Sequence, residues 1–169
     1  GQEGVLCRRY KITLVNGEVQ DRRLEDEWLQ QEPADRLMAY GTRVVVRQVG
    51  TSSGPQEYWR TIRVLVTSYS PSTAGYARTH PHYGITRSGK RADTGMIAVD
   101  PSVIPLGTRM YVPGYGVGVV EDTGSMIIGR HIDVCYSDEE LVYWHKWVDA
   151  YLLTPVPPER TIRWVLPDW

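Results

Sequence analysis

The chain has 169 residues, 19 basic against 20 acidic for a net charge of −1, and 41% apolar residues. That is enough apolar material for a packed core, so disorder is excluded as the default. The even charge balance lacks the basic field of a nucleic-acid binder, and no apolar run approaches the ~18–20 residues of a membrane span.

Phe is absent while Trp numbers 6 and Tyr 11, and Asn16 is the only asparagine. Depletion of a thermolabile residue fits a heat-adapted source or a biased genome composition. Rings that also hydrogen-bond suit a carbohydrate surface as well as a core. Two cysteines, Cys7 and Cys135, are too few for a disulfide framework or a zinc site. Two buried thiols are expected, with one long-range disulfide as the alternative. No leader peptide is visible at Gly1-Gln2-Glu3-Gly4. A secreted protein whose leader has been removed reads the same way.

Period two dominates the chain. Tyr10 to Val15 alternates with charges, Asn16-Gly17 is a strong hairpin turn, and Glu18 to Leu24 resumes the alternation. Residues 25–32 are ambiguous between helix and strand. Leu37 to Tyr40, Gly41 and Val44 to Val46 read as a further extended pair. Residues 1–49 thus form a small polar β module. Gly50-Thr51-Ser52-Ser53-Gly54-Pro55 clusters turn formers without apolar periodicity and predicts a linker over 50–58.

The remainder is denser. Trp59 to Ser70 is a strand centred on Ile62, Val64 and Val66, and residues 71–93 are a long loop of the kind that carries function. Short strands follow at Gly95–Val99, Arg109–Val112, Gly116–Glu121 and Arg130–Tyr136. Ser137 and Glu140 form a capping box, and Leu141, Trp144 and Val148 continue at helical spacing, predicting one short helix. Val148 to Val156 returns to strand and is ended by Pro155, Pro157 and Pro158. The tail 157–169 carries Ile162, Trp164, Val165 and Trp169 and is expected to pack on the body. Many short strands with glycine turns imply a small closed barrel over 59–156.

Three aspartates stand at costly places. Asp100 follows Met96 to Val99, Asp122 ends Val117 to Val120, and Asp133 interrupts Ile132 and Val134. A carboxylate on an apolar strand must be solvated, paired or used. Alternation puts Asp133 on the face opposite Ile132 and Val134. If Asp100 and Asp122 share that mouth, mutual repulsion raises at least one carboxyl toward general-acid duty. The bland alternative is a set of turn aspartates bonded to backbone amides. Asp93-Thr94-Gly95 and Asp122-Thr123-Gly124 also match the aspartic-protease signature, but 29 residues separate them, too few for two lobes each supplying one carboxyl. His80-Pro81-His82 reads as exposed loop rather than a metal pair. His131 shares the face of Asp133, and no nucleophile-elbow, phosphate-loop or dinucleotide motif is present.

Ala98-Val99-Asp100-Pro101-Ser102-Val103-Ile104-Pro105-Leu106-Gly107-Thr108, then Glu121-Asp122-Thr123-Gly124, then Gly129-Arg130-His131-Ile132-Asp133 resemble, in order, the three-aspartate (3D) domain. The resemblance spans roughly residues 62–156 and includes Thr67-Ser68-Tyr69-Ser70 as an opening strand. It implies an all-β fold: a six-stranded double-psi β-barrel with one short helix. It also implies kinship with the lytic transglycosylase A barrel and the stationary-phase-survival-like enzymes, which act on peptidoglycan. By motif position Asp122 is then the acid/base, with Asp100 and Asp133 in support. Upstream, Asn16-Gly17-Glu18-Val19, Glu32-Pro33-Ala34-Asp35 and Gly41-Thr42 resemble the second half of a G-five domain. That is an elongated β module associated with glycans containing N-acetylglucosamine.

What these resemblances imply is a secreted or cell-wall-associated bacterial lytic transglycosylase that cleaves the β-1,4 bond between N-acetylmuramic acid and N-acetylglucosamine to a 1,6-anhydro sugar. Its partners would be peptidoglycan strands, as a monomer or a strand-exchanged dimer. Thr67, Tyr69, Thr94, Gly95, Thr123, Gly124 and His131 are the expected substrate contacts, with no metal or cofactor required. A non-catalytic wall-glycan-binding module is the rival reading.

Overall fold

A computed structural model describes residues 1–37, 39 and 41–167. The chain forms two units, Gly1–Gly41 and Thr42–Trp169. The first is one antiparallel hairpin of β1 (Val5–Val15) and β2 (Glu18–Gln31). Asn16 and Gly17 turn between them with φ of 53° and 83°, both positive as a type I′ turn requires. The ambiguous segment 25–32 thus continues β2. Apolar side chains such as Ile12, Leu14 and Trp28 stay exposed. Cross-strand pairs hold the hairpin instead, with Arg8 on Glu27 at 2.5 Å and Arg22 over the Tyr10 ring at 4.0 Å. Of the predicted extended pair, Met38 and Tyr40 lie outside the described residues, and residues 42–46 are not strand.

The second unit holds β3 (Arg47–Thr51), β4 (Gly54–Tyr69), β5 (Met96–Val99), β6 (Arg109–Val112), β7 (Gly116–Asp122), β8 (His131–Cys135) and β9 (His145–Leu153). Residues 50–58, read as a linker, instead form the turn and returning strand of a β3–β4 hairpin. Thr51 Oγ1 donates to the Gly54 carbonyl at 2.6 Å, so the small polar residues close a turn rather than separate domains.

Six strands close in the order β4-β8-β5-β7-β6-β9, with β9 returning to pair with β4. Two pairs, β4–β8 and β5–β7, are parallel and the rest antiparallel. This is the closed double-psi arrangement, almost wholly β. Alternation places Ile62, Val64, Val66, Ile97, Val99, Met110, Val112, Val120, Ile132 and Val134 in one buried interior cluster. Gly118 lies where backbones crowd: a Cβ there would sit 2.8 Å from both the Gly95 carbonyl oxygen and Ile97 Cδ1.

The predicted helix is absent. Ser137 and Glu140 make a single turn, Glu140 N–H donating to the Ser137 carbonyl at 3.3 Å, and His145–Leu153 pairs with β4 as β9. Pairing along β4 overrides the local helical spacing. The sole helical turn among the described residues is a 3₁₀ turn at Glu159–Thr161. Beyond it Ile162 enters the interior cluster and Arg60 donates to the Arg163 and Trp164 carbonyls at 2.6 and 2.8 Å, so the described tail packs on the barrel. Trp169 lies outside the described residues. Both cysteines are free: Cys135 is buried but Cys7 is only half-buried, so two buried thiols are not what the structure holds.

Candidate active site

The site lies on the outer face of the sheet. Registers run Thr67 to Asp133 across β4–β8, Asp133 to Ala98 across β8–β5, and Ala98 to Asp122 across β5–β7. Thr67, Asp133, Ala98 and Asp122 therefore form one row across four strands. The short Ala98 side chain leaves open space between the two carboxylates, whose backbones are two strand spacings, roughly 10 Å, apart.

Asp122 reaches this face by a break in register. Met96 pairs with Val119 and Ile97 with Val120, but Ala98 pairs with Asp122, so Glu121 is an extra residue in β7. Val120 points into the interior cluster. Strict alternation would send Asp122 after it, and the bulge turns Asp122 outward instead. Glu121 is itself buried and paired with Lys90, and its carbonyl accepts from Ser88 N–H at 3.0 Å. The Lys90 bond, bonding to Ser88 and the Lys90 charge hold the Glu121 carboxyl below its ordinary value against partial burial.

Three donors fix Asp122. Its Oδ1 accepts from the backbone N–H of Arg87 and of Thr123, both at 2.8 Å, and its Oδ2 accepts from the Tyr69 hydroxyl at 2.9 Å. Tyr69 crosses from β4 over buried Cys135 and Ala98, with which it forms a second small cluster. Burial pushes the Cys135 thiol up to about 12, which leaves it no role as a thiolate nucleophile.

Asp133 Oδ1 accepts from Thr67 Oγ1 at 2.8 Å, and Thr67 Oγ1 also lies 2.9 Å from His131 Nε2. Burial raises the Asp133 carboxyl above its ordinary value and the Asp122 charge adds to this. The Thr67 bond and the His131 charge oppose it without cancelling it.

Asp100 does not join them. Its Oδ1 accepts from Ser102 N–H at 2.9 Å and its Oδ2 from Gly129 N–H at 2.8 Å, so it braces the segment leading into β8. Partial burial acts upward on its carboxyl, but the Gly129 and Ser102 bonds and the Arg163 charge outweigh it and hold the group below its ordinary value.

A cavity of about 340 Å³ opens over Tyr69, Ala98, Asp122 and Asp133. A second, of about 550 Å³, shares Asp122, Thr123, Tyr76, His82 and Ile85 with it. Asp122 therefore stands where two contiguous hollows meet. Of the expected contacts, Tyr69, Thr123 and Gly124 line the first hollow, and Thr67 and His131 are tied to Asp133 beneath it. Thr94 lines neither, being bonded to Ser137 N–H at 2.9 Å and Glu140 at 3.4 Å. Gly95 lines neither, its N–H donating to the Tyr115 hydroxyl at 2.6 Å.

The shared wall comes from the long loop. Tyr76 stacks on His80 with centroids 4.5 Å apart and lies 6.4 Å from His82; both histidines are exposed loop residues, as the sequence indicates, and His82 lines both hollows with Tyr76. The loop is built, not slack. Ser72 N–H donates to Asp138 at 2.9 Å and Tyr83 OH donates at 3.3 Å. Bonds from Ser70, Ser72 and Tyr83 hold the Asp138 carboxyl at about 2. Sequence reasoning missed Tyr76 and Arg87. The only signal was the length of the loop, because a backbone N–H donor leaves no trace in residue type. No cluster of residues able to hold a metal occurs among the described residues.

Comparison with known proteins agrees with the order of the two units. Residues 95–153 match the 3D domain and residues 1–43 the G5 domain. The chain is 30% identical over 158 residues to the putative cell wall shaping protein YabE of Bacillus subtilis, covering 84% of this chain and 37% of that one. It is 37% identical over 92 residues to the cell wall-binding protein YocH of Bacillus subtilis, covering 52% of this chain and 30% of that one. The chain thus spans about a third of the length of the curated relatives it matches. Among solved structures, E. coli MltA with bound chitohexaose is similar at a TM-score of 0.37 and 20% identity, over 43% of this chain and 28% of that one. Another structure of MltA, a lytic transglycosylase from Escherichia coli, is similar at 0.37 and 19%, over 49% and 29%. On these matches residues 95–153 carry a 3D domain and residues 1–43, ahead of the barrel, a G5 domain.

Proposed function

We propose that the paired hollows bind a peptidoglycan glycan strand and that Asp122 cleaves it as a lytic transglycosylase, at the bacterial cell wall. The observation that carries this reading is the position of Asp122 at the junction of the hollows. Its Oδ1 accepts from two backbone donors and its Oδ2 from Tyr69. A sugar on either side puts the linking oxygen above Oδ2. Protonated Asp122 gives its proton to that oxygen as the bond to C1 breaks. The resulting carboxylate then takes the proton of the muramic acid C6 hydroxyl, whose oxygen closes on C1. The products are a 1,6-anhydro end and a freed 4-hydroxyl, and no water is consumed. The attacking oxygen is already part of the sugar, so one carboxyl suffices where hydrolytic glycosidases use two.

Tyr69 orients Oδ2 and hydrogen-bonds the charge that forms there. Tyr76 and His82 offer ring faces to the sugars. Asp133 lines the first hollow beside Asp122, and Asp100 acts by bracing residues 129–131. Thr94 and Gly95 are given no glycan contact. The names of the two cell-wall relatives fit this substrate.

The wall-binding name of the relative at 37% identity favours a second reading, in which the groove binds glycan without turnover. Digestion of purified peptidoglycan separates the two by mass spectrometry. The wild type is expected to release anhydro-muropeptides, and Asp122→Asn to lower that release by at least ~100-fold, the scale of general acid–base catalysis. Binding with no anhydro product from the wild type gives the second reading. Reducing muramic ends would show a hydrolase instead.

A further inference from the structure

The hydroxyl of Thr67 stands between two titratable groups, 2.8 Å from Asp133 Oδ1 and 2.9 Å from His131 Nε2. The other ring nitrogen, His131 Nδ1, lies 3.2 Å from the Met126 carbonyl oxygen, which can only accept. That contact requires a hydrogen on Nδ1. A hydroxyl has one hydrogen and cannot donate to both neighbours, so Thr67 donates to one and accepts from the other.

Two arrangements satisfy all three contacts. In one, imidazolium Nε2–H donates to Thr67, and Thr67 donates to ionised Asp133. In the other, Asp133 O–H donates to Thr67, and Thr67 donates to the bare Nε2. They contain the same number of protons and interconvert when Nε2–H passes its proton to the Thr67 oxygen as the Thr67 hydroxyl passes its own to Asp133. With neither extra proton present, Nε2 and the carboxylate would compete for one hydroxyl hydrogen.

We propose that Thr67 is a positioning residue through which Asp133 and His131 share one proton. The pair is then neutral in both arrangements, so Asp122 does not face a second uncompensated carboxylate. That consequence rests on the glycan-cleavage reading, while the shared proton does not. The other groups facing the set are Asp122 on β7 beyond Ala98, Tyr69 on β4, Cys135 on β8, and His145 on β9, which pairs with Thr67 in register. The Thr67 hydroxyl bonds Asp133 and His131, with the Ile132 carbonyl at 3.5 Å. Nothing in residue type singles out this bridge, because a threonine in a strand is ordinary.

The test is titration of the Asp133 carboxyl by carbon NMR without glycan. His131→Gln is expected to raise the Asp133 midpoint by about 1 unit, the effect of removing a close opposite charge. In a Thr67→Val background that shift should fall by at least half, and in a Thr67→Ser background it should return. Ring-nitrogen shifts of the wild type should place the neutral histidine hydrogen on Nδ1, a readout that needs no variant to fold. An undiminished shift with valine at position 67, or a neutral ring carrying its hydrogen on Nε2, overturns the shared proton. Failure to release anhydro-muropeptides would remove the cleavage reading and leave this result standing.

Discussion

Asp133 is the residue whose environment is most at odds with its charge. Its neighbours in sequence, Ile132 and Val134, are fully buried on the opposite face, and burial raises its carboxyl. A raised acid means the folded state holds its proton more tightly than the unfolded chain. The stability from that preference is complete below the unfolded value of about 3.9 and is lost as pH rises through the folded value. Asp133→Asn is therefore expected to be more stable than the wild type near pH 7, and the difference should vanish below about pH 3.9. Denaturant midpoints across pH 3 to 8 check this. Alternation alone located Asp133, because β8 is regular and its neighbours are plainly interior. It could not separate Asp100 from the pair. Asp100 has the same apolar run before it, but its two oxygens are taken by the amides of Ser102 and Gly129. Which amides a turn presents depends on tertiary packing rather than on residue type.

The strand that decides the site is β7. Its extra residue, Glu121, moves Asp122 from the interior face to the face shared with Ala98 and Asp133. Period-two reading of Gly116 to Glu121 finds the strand but not the bulge, since the extra residue is Glu121 itself, which reads as an ordinary exposed charge. Gly118 shows why the strand accepts so little change. Gly118→Ala places a methyl 2.8 Å from a backbone oxygen and from Ile97, and is expected to destabilise the fold by about 1–3 kcal/mol. Chemical denaturation measures this, and a loss under 0.5 kcal/mol would mean β5 and β7 separate more freely than their contacts indicate. The other misread elements share one cause. Ser137 to Val148 has helical spacing and residues 50–58 have linker composition, yet both are taken up by pairing with or turning into β4, the 16-residue strand that contacts three others. A long strand supplies partners that a local window cannot see.

At the scale of the whole chain, a hairpin unit and a closed barrel unit follow one another, in the order of the G5 and 3D matches. The barrel was legible because its interior residues recur with period two on every strand. The groove was not. It is assembled from a row across β4, β8, β5 and β7 together with a loop whose Arg87 N–H holds Asp122 and whose Tyr76 walls both hollows. Cleavage requires that groove to place a glycosidic oxygen at residue 122. A crystal structure of the Asp122→Asn protein with a peptidoglycan tetrasaccharide measures it directly. Sugars are expected in both hollows, one against Tyr76, with the linking oxygen within about 3.2 Å of the residue 122 amide, hydrogen-bond reach for a general acid. A tetrasaccharide bound elsewhere on the barrel, with the Asp122 hollows empty, would contradict it.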